Sequence, residues 1–551
     1  MSWRRPTSDR LASSGDADGR VPSGYGERHV RTVWFGTGEA RLGSLVSKDR
    51  MYKPVVKSSG AKRESDGVVV LPIAGMNPAG GKDPDFGHVG DEGKHQGMAG
   101  TARSNFPDGH LPPAGVRKLQ NRLWAAAKQS SERRFHALYD RIHRSDVLWE
   151  AWERVRANRG AAGVDAMTIA DVEAYGVHQM LGELQARLRA GNYHPAPVRR
   201  VEIPKPDGRM RPLGIPTVKD RIAQQAAKLI LEPIFEADFL PCSFGFRPKR
   251  SATDAMEQLR VGFTKGNVFA FEADIVNFFG EIDHDKLLSL VGERVSDRRV
   301  LKLLRGWLRA GVLTDGVVTE TVAGTPQGGV ISPLLANIYL HAFDRAWAEQ
   351  GVGELVRYAD DFVVLCSSQV EAEQAREHAA ALLGDLGLSL HPDKARVVDL
   401  REGKEGFDFL GCHFRARMSG KLWEQHRVIR YYLHRWPSLR SMKRARARVK
   451  ALTDRSQVGQ ELEVVIGRLN RFLRGWGNYF RTGNAAHKFR QFDRYVSRRL
   501  HRLLVKKRGR NLHAGQADRW TEDWFHDQGL HKLSGTIRYP KAAQLCPEDR
   551  R

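Results

Sequence analysis

Tyr358-Ala359-Asp360-Asp361 sets two adjacent carboxylates between two apolar runs, Leu355-Val356-Arg357-Tyr358 before and Phe362-Val363-Val364-Leu365 after. Two β-rich runs around a two-residue acidic corner predict a tight hairpin. Carboxylates at a hairpin tip can face one cation together, and two-metal phosphoryl transfer needs carboxylates held on a rigid scaffold. An Asp-Asp pair taken alone is usually only a turn, because Asp favours turns through its own hydrogen bonding. A second acidic strand strengthens the pattern: the run from Val268 to Ile275 is mostly apolar and carries Asp274 near its end. Asp274 lies far before Asp360 in the chain, so any meeting is tertiary. A strand end and a neighbouring hairpin tip converge readily in a sheet, and three carboxylates could then hold two Mg²⁺ ions, which take oxygen ligands and substrate phosphates.

Between these acids lies Gly324-Thr325-Pro326-Gln327-Gly328-Gly329, followed by the apolar segment Leu334, Leu335, Ile338, Tyr339. Gly328 and Gly329 would let backbone approach a ligand closely, and Gln327 offers an amide donor and acceptor. Upstream, Pro206-Asp207-Gly208 is a turn signal that folds two strands into a hairpin bearing Arg199, Lys205 and Arg211. Arg as a fork and Lys as a point charge suit a triphosphate. Without the acids, the same residues would read as a solvated basic hairpin.

The elements that must position these groups follow from periodicity. Residues 1–112 are rich in Gly, Ser, Asp, Lys and Pro and read as a low-order extension, with only Val68 to Gly75 resembling a strand. Residues 113–190 show helical stripes, beginning with Leu119, Leu123, Ala126 and Ala127 and continuing with Phe135, Leu138 and Ile142. Residues 191–415 alternate short β-like runs with helical ones, among them 268–275, 355–364 and 407–412, which predicts an α+β domain with an antiparallel sheet. Residues 416–510 turn helical and basic. Leu462, Val465, Ile466, Leu469, Phe472, Leu473 and Trp476 form one core-facing stripe, and Phe492, Val496, Leu500, Leu503 and Leu504 another. Residues 511–551 form a C-terminal segment with Trp520, Trp524 and Phe525 and no metal-ligand pattern.

The length of 551 residues suggests roughly three to four domains. A net charge of +25 points to a polyanionic partner, nucleic acid first. The four cysteines form no CxxC pair, which argues against a zinc ribbon or a disulfide framework and suits a reducing cytoplasm. The N-terminus lacks the apolar stretch of a secretory signal, and no apolar run approaches the roughly 20 residues of a membrane helix, so no membrane partner is expected.

The motifs together resemble the reverse transcriptases encoded by group II introns. RPLGIPTVKDRIAQ, SFGFRPKRS, ADIVNFFGEIDH, GTPQGGVISPLLANIYL, YADD and FDFLGC match that family in order, within a resemblance covering about residues 116 to 540. The resemblance implies a right-hand polymerase, with fingers and a palm built on an antiparallel sheet, followed by a helical thumb that doubles as a maturase domain. It implies that Asp274, Asp360 and Asp361 bind the catalytic metals, and that Phe279 is the aromatic gate disfavouring a ribose 2′-hydroxyl. Gln327, Lys205, Arg211 and Arg199 match positions that contact the incoming nucleotide. The segment Leu469 to Phe480 resembles the maturase-specific domain. Interleaved Arg and aromatic residues can grip phosphates and stack bases, but the spacing of Phe472, Trp476 and Phe480 suits core. Arg471, Arg474 and the basic helix bearing Arg440, Lys443, Arg444, Arg446 and Arg448 are the RNA-binding candidates.

Three departures stand out. Gly280 follows Phe278-Phe279 where an Asp is more usual; His391-Pro392-Asp393-Lys394 stands where Glu-Lys often ends a late motif; and the His-Asn-His endonuclease cluster with paired cysteines is lacking, so second-strand cleavage is not expected. The expected activity is RNA-directed DNA synthesis with two Mg²⁺ ions, together with assistance to splicing and mobility. The expected partners are group II intron RNA, a DNA primer or target and dNTPs, in a bacterial-type, nucleoid-associated cytoplasmic setting, with a homodimer left open. The competing readings are a splicing cofactor with an idle polymerase and a related reverse transcriptase serving phage defence or CRISPR adaptation. A viral RNA polymerase fits less well, because Phe279 would obstruct a 2′-hydroxyl.

Overall fold

A computed structural model describes residues 113–204, 210–314, 317–319, 323–325 and 328–540. The strand expected at Val68 to Gly75 lies outside the described residues. Helix α1 (Ala114–Gln129) buries Val116, Leu119, Leu123 and Ala127, one stripe at helical spacing. Helices α2 (Tyr139–Ile142), α3 (Ser145–Ala157), α4 (Ile169–Tyr175) and α5 (Val177–Ala190) follow. Thr168 and Asp171 form a capping box at the start of α4, and Gly191 ends α5 at φ 73°. Strands β1 (Val198–Pro204) and β2 (Met210–Ile215) pair antiparallel. Helix α6 (Val218–Glu236) is buried on nearly every side, as its apolar Ile222, Ala223, Ala226, Ala227, Leu229 and Ile230 require. Both α1 and α3 pack on it.

Helix α7 (Ala252–Thr264) precedes β3 (Phe269–Asp274), and the short α8 (Phe278–Glu281), α9 (His284–Gly292) and α10 (Arg298–Leu308) come after it. Strands β4 (Val312–Thr314) and β5 (Val317–Thr319) extend the first sheet to the order β2-β1-β4-β5. Because β1 and β4 run parallel, this sheet is mixed, whereas the sequence pattern predicts antiparallel pairing. Helix α11 (Ser332–Gln350), strands β6 (Glu354–Tyr358) and β7 (Asp361–Cys366), helix α12 (Gln369–Asp385) and strand β8 (Arg396–Asp399) complete the central part.

The second sheet, β6-β7-β3-β8, is antiparallel throughout. Strand side chains alternate between faces, and here the alternation separates two cores. Phe269, Phe271, Phe362, Val364 and Leu355 join the core with α6, α9, α11 and α12. Ala270, Val363, Leu365, Val356 and Val398 face the other core, with α7 and the C-terminal layer.

That layer starts with β9 (Gly406–Phe409) and β10 (Cys412–Met418), where the sequence pattern suggests a single run at 407–412. Leu410 and Gly411, at φ 49° and 74°, turn the chain between them. Helix α13 (Gly420–His426) leads to β11 (Tyr431–Pro437), which pairs with β10 along its whole length. The chain is therefore not helical throughout after 416, and the boundary expected at 415 falls inside β10. Helices α14 (Leu439–Leu452), α15 (Leu462–Phe480), α16 (Ala486–Arg508) and α17 (Glu522–Asp527) follow. Trp520, Phe525, Leu530 and Leu533 are buried in the same core, and Asp493 of α16 accepts bonds from the backbone N–H of Leu533 and Ser534 at 3.0 and 2.8 Å. The segment as far as Ser534 is thus tied to α16 and its core.

One fully buried ion pair underlies the β6–β7 hairpin. Arg357 of β6 donates to Asp344 of α11 through Nε at 2.7 Å and through Nη2. Its other N–H groups reach Asn337 Oδ1, the Ala359 carbonyl at 3.0 Å and Ser243 Oγ at 2.8 Å. All five guanidinium donors are satisfied. Replacing Arg357 alone with Met would leave the Asp344 carboxylate buried and unpaired. We expect a loss of about 3–5 kcal/mol in urea unfolding. Adding Asp344→Leu should recover part of that loss.

Candidate active site

Tyr358 pairs with Asp361 across the hairpin, so the loop is Ala359-Asp360 and Asp361 is the first residue of β7. The corner lies one residue earlier than the acidic pair suggests. Ala359 takes φ 59°, a left-handed conformation suited to such tight turns. The segment Cys242–Gly245 lies along β6, with the Phe244 N–H bonded to the Arg357 carbonyl at 2.9 Å. A Cβ on Gly245 would overlap the Ala359 nitrogen, so only glycine lets this segment back the turn.

Asp274, the last residue of β3, is the register partner of Asp361. Directly opposite residues share a face with Cβ atoms roughly 4.5–5.5 Å apart. Asp360 completes the group from the turn. Burial raises the Asp360 carboxyl above its ordinary range, and the Asp274 charge adds to the rise. Asp361 is pushed well above, by burial first and then by Asp274, Asp360 and Glu272. Arg211 and Lys394 oppose the rise at Asp360, and Lys394 does so at Asp361. Lys394 also pairs directly with Asp274 Oδ2. A turn in which the His391 N–H bonds the Asp274 carbonyl at 2.8 Å brings it there.

Among the described residues no three His, Cys, Asp or Glu side chains close around one point as a metal site. The donor set nonetheless fits a hard divalent cation: three carboxylates crowd one sheet end, repel one another, and already attract an ammonium.

Phe279 sits half-buried in α8, its ring edge-on to Phe278 at 5.2 Å. Arg211 lies opposite Ile203 on the β1–β2 hairpin, and its charge is felt at Asp360. Arg199 is engaged elsewhere: it sits four residues back along β1, about 13 Å away, and donates to the Ala162 carbonyl at 2.7 Å. Lys205 and Gln327 lie outside the described residues, as does the Pro206-Asp207-Gly208 turn. Gly328, at φ 117°, leaves room not for a ligand but for protein backbone, since a Cβ there would stand 2.6 Å from the Gly214 carbonyl of β2. Gln224 of α6 accepts from the Val330 N–H at 2.9 Å and ties down the far end of the loop.

Helix α14 buries Ser441, Met442, Ala445 and Val449, which leaves Arg440, Lys443, Arg446 and Arg448 exposed. Arg444 is half-buried, and desolvation, with help from Arg440, lowers its pKa. Arg471 and Arg474 are exposed on α15. Trp476 packs against Phe480, Phe489 and Phe492 as core. A groove of about 880 Å³ lies along α16, lined by its Arg494, Tyr495, Arg498 and His501 together with Arg446 of α14.

Sequence reasoning gave Arg357 and Asp344 no part in the site, and it noted Lys394 only as part of a late motif, not as a partner of the acids. An arginine inside an otherwise apolar strand was a usable signal for the first, because a buried charge demands a partner. Nothing in sequence points to Asp344 as that partner.

Residues 203–414 match the reverse transcriptase (RNA-dependent DNA polymerase) family, and residues 442–520 match the group II intron maturase-specific domain. Protein YkfC of Escherichia coli (strain K12) is 34% identical over 342 residues, 54% of this chain and 87% of that protein. Group II intron-encoded protein LtrA of Lactococcus lactis subsp. cremoris is 37% identical over 229 residues, 41% of this chain and 38% of LtrA. Nuclear intron maturase 2, mitochondrial, of Arabidopsis thaliana is 26% identical over 221 residues, 33% of this chain and 29% of its own. The alignment with LtrA thus spans well under half of that relative. The fold and the matched domains define a reverse transcriptase, the class of RNA-directed DNA polymerases. With its maturase-specific domain, the chain belongs to the group II intron-encoded reverse transcriptase/maturase family.

Crowding of the acids predicts a trade between stability and ion binding. Asp361→Asn should raise the melting temperature without divalent ions, by an amount equivalent to on the order of 1 kcal/mol. Mg²⁺ should raise the melting temperature of the wild type, and the same change should abolish that rise.

Proposed function

We propose that this protein copies intron RNA into DNA from a DNA 3′ end and also binds the intron to promote its splicing. The observation that carries the polymerase reading is the Asp274–Asp361 register pair with Asp360 beside it, at one end of an antiparallel sheet. In this reading Asp274, Asp360 and Asp361 hold Mg²⁺. Two such ions, when bound, would lower the pKa of the primer 3′-hydroxyl and stabilise the leaving pyrophosphate. The chain's own part is to fix that geometry. The Arg357 pair holds the hairpin, so that Asp360 and Asp361 need not reorganise during the reaction. Lys394 and Arg211 supply positive charge at the rim, suited to nucleotide phosphates. Lys205, Gln327 and Arg199 are nucleotide contacts in the same reading, with Phe279 against the sugar.

In the same reading residues 1–112 are an extension, 113–190 helical fingers, 191–415 fingers and palm, 416–510 a thumb-like maturase part and 511–551 a C-terminal segment. The maturase match and the exposed cations of α14 and α15 support intron RNA as the second ligand.

Primer extension on an RNA template with dNTPs and Mg²⁺ tests the first half. The wild type should make cDNA, and Asp360→Ala should lose at least about a thousandfold in rate. An inactive wild type would sink the polymerase reading. Asp360→Ala should still bind intron RNA and promote splicing, because the change removes one carboxylate and none of the exposed cations of α14 and α15. Conversely, the triple change Arg440→Ala, Lys443→Ala, Arg448→Ala should weaken intron binding and flatten its salt dependence. The log–log slope should fall by about 0.7 for each phosphate that is no longer neutralised. Extension of a short primer–template should survive that change.

A further inference from the structure

We propose that His284 and Gly324 clamp the backbone of Phe279, and so act as positioning residues for the choice between deoxyribo- and ribonucleotides. The proposal rests on the reading of Phe279 as the sugar gate and extends it to the groups that hold the gate.

Phe279 sits on α8, a single turn with little strength of its own. Asn277, which precedes α8, takes φ 41°, a left-handed conformation that Asn adopts more readily than most residues with side chains. Such a turn needs outside support to keep a ring in place. The start of the glycine-rich loop supplies it. The Thr325 N–H donates to the Phe279 carbonyl at 2.7 Å, and the Gly324 N–H donates to the Ile282 carbonyl at 2.8 Å. His284, 5% exposed at the start of α9, bonds the Gly324 carbonyl through Nε2 at 2.6 Å. A carbonyl only accepts, so the proton lies on Nε2. Three hydrogen bonds therefore zip residues 279–284 to residues 324–325.

The zip closes because both backbones are bare at the contact. A Cβ on Gly324 would stand 2.7 Å from the Phe279 carbonyl oxygen and 2.9 Å from the Gly280 Cα. Gly324 also takes φ 85°, which disfavours any side chain. Gly280, where the family more usually has Asp, is part of the same fit. Its own Cβ would overlap Asn277 Nδ2, and that amide is already bonded to Glu281 at 2.9 Å. Asn277 thus fills the space that a side chain at 280 would need. The ring of Phe279 is then set from two sides, by Phe278 at its edge and by the clamped carbonyl beneath. A gate discriminates by steric contact with one oxygen atom, so a shift of a few tenths of an ångström in its backbone is read directly as lost selectivity.

The test is the ratio of kcat/KM for dCTP over CTP on one RNA template and primer, measured for the wild type, Phe279→Ala, Gly324→Ala, His284→Ala and His284→Gln. Phe279→Ala should relax the ratio, as the gate reading requires. Gly324→Ala and His284→Ala should each lower it by about tenfold. His284→Gln, which keeps a donor, should restore most of it. If Gly324→Ala fails to fold, the His284→Ala and His284→Gln pair decides by itself. A relaxed Phe279→Ala alongside a wild-type ratio in folded His284→Ala overturns the clamp and leaves the gate standing. An unchanged ratio in Phe279→Ala overturns the gate reading, and the clamp with it.

Discussion

The hairpin that carries the acids stands on a guanidinium buried in the core. Burying Arg357 and Asp344 removes both from water, at a cost that only close pairing and complete hydrogen bonding can offset. Arg357 meets that condition, with every donor bonded to Asp344, Asn337, Ser243 or the Ala359 carbonyl. The arrangement joins α11, the segment before α7 and the β6–β7 turn in one polar knot. An apolar core at that spot could be as stable, but it would not specify where the turn carbonyl points. The pair therefore sets position more than stability, and position is what the acids above it require.

Those acids are held against their own repulsion. Asp361 carries the largest upward pressure, from burial and from three neighbouring carboxylates. A fold that merely needed stability would not place them together, and their crowding is what favours a divalent cation. The sheet makes the crowding tolerable. Its alternating faces are anchored in two separate cores, so the repulsion at one end is resisted by β3, β6 and β7 along their full length. The second core also takes in α14, α15 and α16, so the sheet that bears the acids and the helices that bear the exposed arginines share one packed interior.

Much of the site was legible because its signals are local. The apolar runs around Asp360 and Asp361 are a hairpin by alternation and turn, and the structure moved that turn by only one residue. The stripes of α15 and α16 are buried nearly as spaced. Less legible was anything that depends on strand order. β11 was hidden inside a basic stretch, because Arg435 is buried and paired with Glu257 of α7, a contact that no local pattern announces. Arg199 and Arg211 look alike in sequence, yet one is tied to the Ala162 carbonyl and the other acts on Asp360. Gly328 looked like space for a ligand and proved to be space for β2.

By itself, then, the sequence determined the residue types and their local pattern: an acidic pair between apolar runs, an acid near the end of a strand, basic and apolar stripes, and the order of motifs that marks the family. Those follow from residue type and from short-range periodicity, which the chain carries wherever it is folded. Only the tertiary structure decided which groups meet. It brought Asp274 beside Asp361, set Lys394 on Asp274, placed Asp344 under Arg357 and laid Gly324 against Phe279. Each of these contacts joins residues distant in the chain. Their meeting depends on strand register, on how helices and turns pack against the strands, and on bare glycine contacts, and none of these leaves a periodic trace along the sequence.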